Sequence, residues 1–314
     1  MTEEPGSAKV ASGGVVCSFC RRRAAISQKS TGLHLCQEHF VQDFESRVAS
    51  TLEKNGMIRD GERIAVAVSG GKDSSALLLS LHKILTGRDV ELVAVTVDEG
   101  IAGYRDDTIS AARSVASGLG IEHVIVSFRE EFGCDLDEMV RGKSVAPCTY
   151  CGVFRKNALN RMAKLLHADK VATGHNLDDE AQTVMMNYLK GDYERLMRFR
   201  PKSARAGLVF RIKPLRQMPE KEIALYCMVK GAFFPSRECP YADLSLRADV
   251  RDMMNRLESL FPGVKQSTVS GFEGIVSQAG GATKVELAAC RECGEPCVGQ
   301  ICKACELLAG LKSI

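Results

Sequence analysis

No apolar run in this chain approaches the length a bilayer crossing needs, and no hydrophobic segment follows its first residues as a secretory signal would. The two absences predict a cytoplasmic protein with no membrane partner. An excess of either sign of charge is lacking as well: the net charge is +3, so bulk charge by itself says little about a nucleic-acid partner. A glycine is also missing where the Walker phosphate loop requires one. Five positions before the glycine of Gly71-Lys72 stands Val66, and the equivalent place before Gly142-Lys143-Ser144 is Asp137. What is present is ordinary for a globular chain, with 45% hydrophobic and 26% charged residues in 314. That length suits one large α/β domain with small modules attached.

The chain is organised around Ala65-Val66-Ala67-Val68-Ser69-Gly70-Gly71-Lys72-Asp73-Ser74-Ser75. The apolar run from Ile64 to Val68 reads as a buried strand, and the glycines break it. A helix then begins, with Asp73 or Ser74 expected as its cap. Two glycines let backbone approach a ligand closely, and a helix N-terminus offers open N–H groups and a positive dipole end. With Lys72 and the hydroxyls of Ser69 and Ser74, the turn reads as a cradle for phosphate or pyrophosphate.

Alternation continues downstream. Strands are expected at Leu92–Val97, His123–Phe128 and Lys170–Thr173, and helices at Asp73–Leu85, Arg105–Leu119 and from about Gly152 to Leu166. Strands alternating with helices imply an α/β fold with a doubly wound parallel sheet, whose ligands sit beyond the carboxyl ends of the strands. That rule gathers the glycine turn, the turn after Val97 and the run Gly174–Glu180 into one crevice. In the last of these, Asp178 and Asp179 either cap the next helix or handle Mg²⁺ on bound ATP; the functional reading favours Asp179.

Thirteen cysteines are the loudest compositional signal, and in a cytosolic chain they point to metal or redox chemistry. Cys17, Cys20, Cys36 and His39 form two knuckles fifteen residues apart and read as a zinc site, with His34 a bystander. Cys290, Cys293, Cys302 and Cys305 read as a second zinc site with Cys297 a spare thiol. The implied organisation is a loose tail (1–16), an N-terminal finger with a connector helix (17–54), a catalytic domain (55–262), a Gly/Ser/Thr-rich linker (263–286) and a C-terminal finger (287–314). Cys134 and Cys227 read as small core fillers. Cys148 and Cys151 follow Pro147 just ahead of a helix, where a positive helix end is expected to lower thiol pKa; Cys239 lies in another loop. A close pair plus one distant thiol permits either a disulfide or persulfide relay, or three ligands to a 4Fe–4S cluster with its fourth iron open to sulfide. Spacing leaves both standing.

Taken in order, the N-terminal finger, Ser69–Ser74, Cys148-Thr149-Tyr150-Cys151-Gly152, Gly174–Glu180, Glu238-Cys239-Pro240 and the C-terminal four-cysteine finger resemble the tRNA 2-thiouridine synthetases of the TtuA/NcsA type. These are PP-loop ATP pyrophosphatases with a Rossmann-like sheet. The resemblance implies that Cys148, Cys151 and Cys239 hold an oxygen-sensitive 4Fe–4S cluster with one free iron. It implies that Ala67, Ser69, Asp73, Val97, Arg155 and Gly174 line an ATP pocket, that Asp179 is catalytic, and that the protein is a homodimer. Arg155 stands at a position that is lysine in some relatives.

The activity so implied is ATP-dependent 2-thiolation of a tRNA uridine. Its C2 oxygen is adenylated while Gly70, Gly71 and Lys72 hold the departing pyrophosphate with Mg²⁺, and sulfur then displaces AMP. The sulfur donor is free sulfide, a persulfide or a thiocarboxylated ubiquitin-like carrier. Cys-Thr-Tyr-Cys-Gly-Val-Phe-Arg and Met186-Asn187-Tyr188-Leu189-Lys190-Gly191-Asp192 look more like enzymes of wobble uridine 34 than those of uridine 54 in the T loop. Arg21-Arg22-Arg23 and the basic stretch of Arg195, Arg198, Arg200, Lys202, Arg205, Arg211, Lys213 and Arg216 suit the tRNA backbone. The competing readings are thiolation of cytidine 32, PP-loop amidation, and a zinc-finger tRNA-binding protein with a relict ATP site.

Overall fold

The computed structural model describes residues 14–143, 146–197, 207–242, 246–278 and 287–312. Most of the expected N-terminal tail (1–13), the arginines and lysine from Arg198 to Arg205, and the end of the expected linker (279–286) lie outside them.

A hairpin of β1 (Ile26–Ser27) and β2 (His34–Leu35) leads into α1 (Gln37–Lys54). Next come β3 (Arg63–Ala67), α2 (Lys72–Ile84), β4 (Glu91–Asp98), α3 (Arg105–Gly118) and β5 (Glu122–Ser127). Two short helices, α4 (Phe128–Phe132) and α5 (Leu136–Val140), precede the long α6 (Pro147–Leu165), β6 (Lys170–Ala172), α7 (Leu177–Leu189), α8 (Tyr193–Met197) and β7 (Phe210–Ile212). The remainder is α9 (Glu220–Val229), α10 (Leu246–Leu260), α11 (Val264–Gln278), a hairpin of β8 (Ala288–Ala289) and β9 (Pro296–Cys297), and α12 (Lys303–Lys312).

β3 and β4 are nearly continuous in apolar residues because both of their faces are covered, as parallel strands require. The five-stranded sheet runs β5-β4-β3-β6-β7 with every pair parallel. Chain order reverses between β3 and β6, so the loops leaving these two strands diverge and open a crevice. The expected doubly wound sheet is therefore present, with one strand more than the sequence suggested. β7 is only three residues long and follows the basic stretch, too brief for any periodicity to show.

Alternate residues of the strands feed two cores. Ile64, Val66 and Ala94 join the face packed by α1, α2 and α9, whereas Ala65, Val93 and Val95 join the face packed by α6 and α12. Phe40, Phe44, Val48 and Leu52 repeat every fourth residue along α1 and are all buried; Phe44 stacks on Tyr226 with ring centroids 4.2 Å apart. Burying four such side chains is worth roughly 6–12 kcal/mol. The expected connector helix is thus a wall of the main core.

Two expectations about elements need correction. The stretch taken for a linker is largely α11, which packs on α7 through Val269 and is anchored by the buried Lys265. Its Gly, Ser and Thr lower helix propensity, and tertiary packing overrides that. The helix expected from Gly152 starts at Pro147, a favoured first position, so Cys148 and Cys151 lie inside its opening turns instead of ahead of it.

Candidate active site

The glycine turn is wound on its own hydroxyls. Ser69 N–H donates to Ser74 Oγ (3.1 Å), and Ser74 Oγ donates to Gly71 O (2.9 Å). The cap of α2 is Gly71, not Asp73 or Ser74, and it supplies no side chain; the first-turn N–H groups therefore face whatever fills the crevice. Gly70 has φ +84°, and a Cβ there would stand 1.8 Å from Thr108 O, so α3 presses against the loop and only glycine fits. Arg105, almost fully buried, ties the region together by donating to Ser69 O, Thr108 Oγ1 and Val97 O.

A cavity of about 270 Å³ lies above the β3/β6 divergence. It is lined by Ala67, Ser69, Asp73, Ser74, Val97, Arg155, Gly174 and Asp179, all expected on sequence grounds. Glu99, Lys156, Thr173 and His175 also line it without having been named as site residues from the sequence, and so does Arg211, which was expected to face the tRNA backbone instead. Gly70, Gly71 and Lys72 are not among the residues that line it. Lys72 Nζ is held by Asp73 Oδ2 (3.1 Å) and Glu220 Oε1 (2.7 Å), and these carboxylates keep it firmly cationic against the cost of burial. A larger cavity, about 550 Å³, separates α6 and β7 from the C-terminal hairpin. It shares Lys156 and Arg211 with the first but none of the glycine-loop groups, so the smaller cavity is the nucleotide candidate.

The run after β6 divides its two aspartates cleanly. Asn176 caps α7 by accepting from Asp179 N–H (2.9 Å), and its own N–H donates to Asp179 Oδ2 (3.2 Å). Asn176 Nδ2 also donates to Asp73 Oδ1 (2.9 Å), joining this turn to the glycine loop. Asp179 faces the cavity, where burial raises its pKa against the pull of the Asn176 N–H and Arg247. Asp178 points the other way, accepting from Lys265 Nζ and from Glu220 N–H (2.8 Å). Gly174 is required for close approach, since a Cβ would stand 2.9 Å from the carbonyl carbon of Asp73. Burial and the cations Lys213, Arg155, Arg247 and Lys156 push His175 down to about 3, leaving it neutral beside Thr173 Oγ1 (2.9 Å).

Cys148, Cys151 and Cys239 come together beside this cavity. Cys148 Sγ lies 3.7 Å from Tyr241 O, two residues past Cys239. Cys151 and Cys239 pack half-buried on the core of Tyr150 and Phe154, and each feels the charge of Glu99, Arg155 and the other thiols. At Cys151 the expected lowering of thiol pKa does not occur. Burial outweighs the favourable Arg155 and pushes Cys151 up to about 11, with Cys239 raised for the same first reason. All thirteen cysteines are free.

The other thiols fall where expected. Ligand atoms of Cys17, Cys20, Cys36 and His39 lie within 4.8 Å of one another, as do those of Cys290, Cys293, Cys302 and Cys305. These are the only such sets among the described residues. His34 instead pairs with Ser27 Oγ, and Cys297 is buried outside the second set with its Sγ toward Gly299 O. Backbone N–H groups lower Cys17 to about 6 despite burial, and the Cys302 N–H first among others does the same for Cys290. Cys227 is buried, and Cys134 is half-buried against the second core. The basic stretch is less free than expected: Lys213 and Arg216 pair with the buried Glu180, and Arg195 with Asp192.

Residues 40–257 match the PP-loop domain model, and residues 16–41 match the N-terminal LIM domain of 2-thiouridine synthetase TtuA. The tRNA 2-thiolation protein NcsA of Haloferax volcanii is 36% identical, over 95% of this chain and 99% of that protein. The chain belongs to the TtuA/NcsA-type tRNA thiolases. The cytoplasmic tRNA 2-thiolation protein 1 of Drosophila melanogaster is 40% identical, over 95% of this chain and 88% of that protein. Among solved structures, the U34-tRNA thiolase NcsA of Methanococcus maripaludis with its 4Fe–4S cluster superposes with a TM-score of 0.82 at 35% identity. It covers 94% of this chain and 96% of that one.

Members of this thiolase family invite a test of whether the three thiols at the cavity suit a cluster. They do. They come from two chain segments, with Cys151 and Cys239 half-buried on one core and Cys148 exposed, and they do not draw together within the 4.8 Å that gathers each finger set, as a body larger than a single ion requires. The two finger sets fit tetrahedral zinc, with His39 offering Nδ1. No helix among the described residues is long and apolar enough to cross a membrane.

Proposed function

We propose that this thiolase adenylates the C2 oxygen of wobble uridine 34 in tRNA at the cavity between β3 and β6 and replaces that oxygen with sulfur at the adjoining thiols. The observation that carries the reading is the convergence of Cys148, Cys151 and Cys239 beside a cavity walled by Ser69, Asp73 and Asp179. The choice of uridine 34 is supported by the likeness to the Methanococcus enzyme, whose name states that target.

A cavity of about 270 Å³ is slightly under the usual range for small-molecule sites. It suits adenosine and the α-phosphate, with the β and γ phosphates along Gly70, Gly71 and Lys72 at the open α2 N-terminus. Lys72 exchanges its Asp73 and Glu220 partners for phosphate oxygens, and Asp73 and Asp179 flank the place for Mg²⁺. His175, held neutral, adds no charge. A 4Fe–4S cluster bound here would supply a metal site for sulfide. Cys148, Cys151 and Cys239 would hold it, and Tyr150 and Phe154 would wall it from solvent. Cys17, Cys20, Cys36 and His39, and Cys290, Cys293, Cys302 and Cys305, would each hold a structural zinc.

Nucleoside analysis of tRNA from cells lacking the gene tests this directly. Loss of the 2-thio group at position 34 is expected. Loss at 54 would refute the target, and no loss at either would refute the activity. Anaerobically purified protein is expected to be brown, with the visible absorption of an iron–sulfur centre; colourless protein binding zinc alone favours the relict-site alternative.

A further inference from the structure

We infer that Glu99 is the hydrogen-bond acceptor that reads N3–H of the target base, selecting uridine over cytidine before adenylation. The inference deepens the thiolation reading above and rests on it.

Glu99 stands just past β4, is 4% exposed, and lines the nucleotide cavity. Its Oε1 lies 3.6 Å from an Arg155 guanidinium nitrogen and its Oε2 lies 2.9 Å from Arg105 Nε. The second approach is close but poorly directed: neither Glu99 Oε2 nor Arg105 Nε makes a hydrogen bond among the described residues. The other two Arg105 nitrogens are committed to the glycine loop, Thr108 and the end of β4. A deeply buried carboxylate oxygen without a hydrogen bond is costly and uncommon, and calls for a donor that arrives with a ligand.

Its position says which donor. Glu99 lines the cavity together with Ser69, Asp73 and Asp179 and is also within electrostatic range of Cys151 and Cys239. A base whose C2 must meet first an α-phosphate and then sulfur has to reach both groups, and Glu99 is near both. Uracil and cytosine both present a C2 carbonyl, so the reacting oxygen cannot tell them apart. The atom beside C2 can: N3 carries a hydrogen in uracil and a lone pair in cytosine. A fixed carboxylate accepts from the first and repels the second.

The same contact disposes of a proton. As O2 bonds to the α-phosphorus, the bond to the bridging oxygen breaks and pyrophosphate leaves with its electron pair. The O2-adenylated ring is then cationic and its N3–H acidic. The proton passes to the Glu99 carboxylate, leaving a neutral adenylated base. A carboxylate need not be a strong base for this, because the proton leaves a cation.

The test uses the full-length protein, ATP and two anticodon stem-loops that differ only in uridine or cytidine at the target position, with pyrophosphate release as readout. Wild-type protein should favour uridine by at least about 100-fold in kcat/KM. In Glu99→Gln, whose amide can donate to N3 of cytosine, that preference should fall by about 10- to 100-fold, read as the ratio of the two stem-loops at saturating ATP. An undiminished preference in Glu99→Gln overturns the inference. Because the substitution also touches Arg105 and Arg155, Glu99→Asp is a second arm: it retains the charge, so it should keep the uridine preference with slower release, and loss of preference there overturns the inference. A third arm needs no variant. A stem-loop with 4-thiouridine keeps N3–H but lacks O4, so wild-type protein should use it like uridine, and rejection overturns the inference. Wild-type protein that releases no pyrophosphate with any stem-loop refutes the thiolation reading itself, which separates the two failures.

Discussion

Asp178 and Asp179 are neighbours in sequence and opposites in role, and substituting each by Asn should split stability from catalysis. Asp178 is 4% exposed and accepts from Lys265 Nζ, itself 6% exposed, and from the Glu220 N–H. Removing one charge of a buried pair typically costs about 3–5 kcal/mol. Here Asn255 Oδ1 stays 2.6 Å from Lys265 Nζ, and an Asn side chain still offers an oxygen, so the lower end, about 3 kcal/mol, applies. At about 2–4 °C per kcal/mol for a domain of this size, Asp178→Asn should lower Tm by about 6–12 °C. Its pyrophosphate release below the melting range should stay within about threefold of wild type, because no atom of Asp178 reaches the cavity. Asp179→Asn preserves an acceptor for the Asn176 N–H, so Tm should move by less than about 2 °C. Release should fall by about 100-fold or more, the usual scale for losing a group that handles transition-state charge. Thermal unfolding followed by circular dichroism and a coupled pyrophosphate assay give both numbers. If Asp178→Asn melts like wild type but is inactive, or Asp179→Asn turns over normally, the assignment of the two carboxylates is wrong.

Gly174→Ala would put a methyl group 2.9–3.0 Å from the Asp73 carbonyl and the Ser74 nitrogen, forcing the two loops apart; calorimetry should show ATP affinity weakened by about tenfold. Cys302→Ser should reduce bound zinc from two ions to one per chain by elemental analysis and lower Tm, since Cys302 is packed in the core beneath α6. His175, at about 3, takes up no proton in the folded state down to mildly acid pH, whereas the unfolded chain binds one below about 6.5. Stability should therefore fall as pH drops from about 6.5 toward 4, and His175→Asn should flatten that part of the stability curve. Proton NMR of the imidazole should show no titration between pH 5 and 8.

What could be read from the sequence was local. The β3 turn announces itself because a buried strand, two glycines and a helix must be adjacent in the chain to make a phosphate cradle. The finger sites do so because knuckle geometry fixes ligand spacing. The preference for Asp179 over Asp178 is likewise supported by which of them faces the cavity. The rest depends on residues that only meet in three dimensions. Nothing near α11 reveals that Lys265 will find Asp178, so a stretch rich in Gly, Ser and Thr looked like a tether. Thiols at a helix start suggested lowered pKa, yet burial beside Glu99 and the neighbouring thiols governs Cys151. Glu99 and His175 were visible as strand-end residues, but their burial, and hence their chemistry, was not.

Each face of the central sheet is closed by a different finger: α1 with Leu35 on one side, α12 with Cys290 and Cys302 on the other. Neither finger is therefore a cassette that can be exchanged or trimmed away while leaving a minimal catalyst behind. With zinc in both sets as proposed, losing either ion would also loosen the packing beneath the strand that leads into the glycine turn.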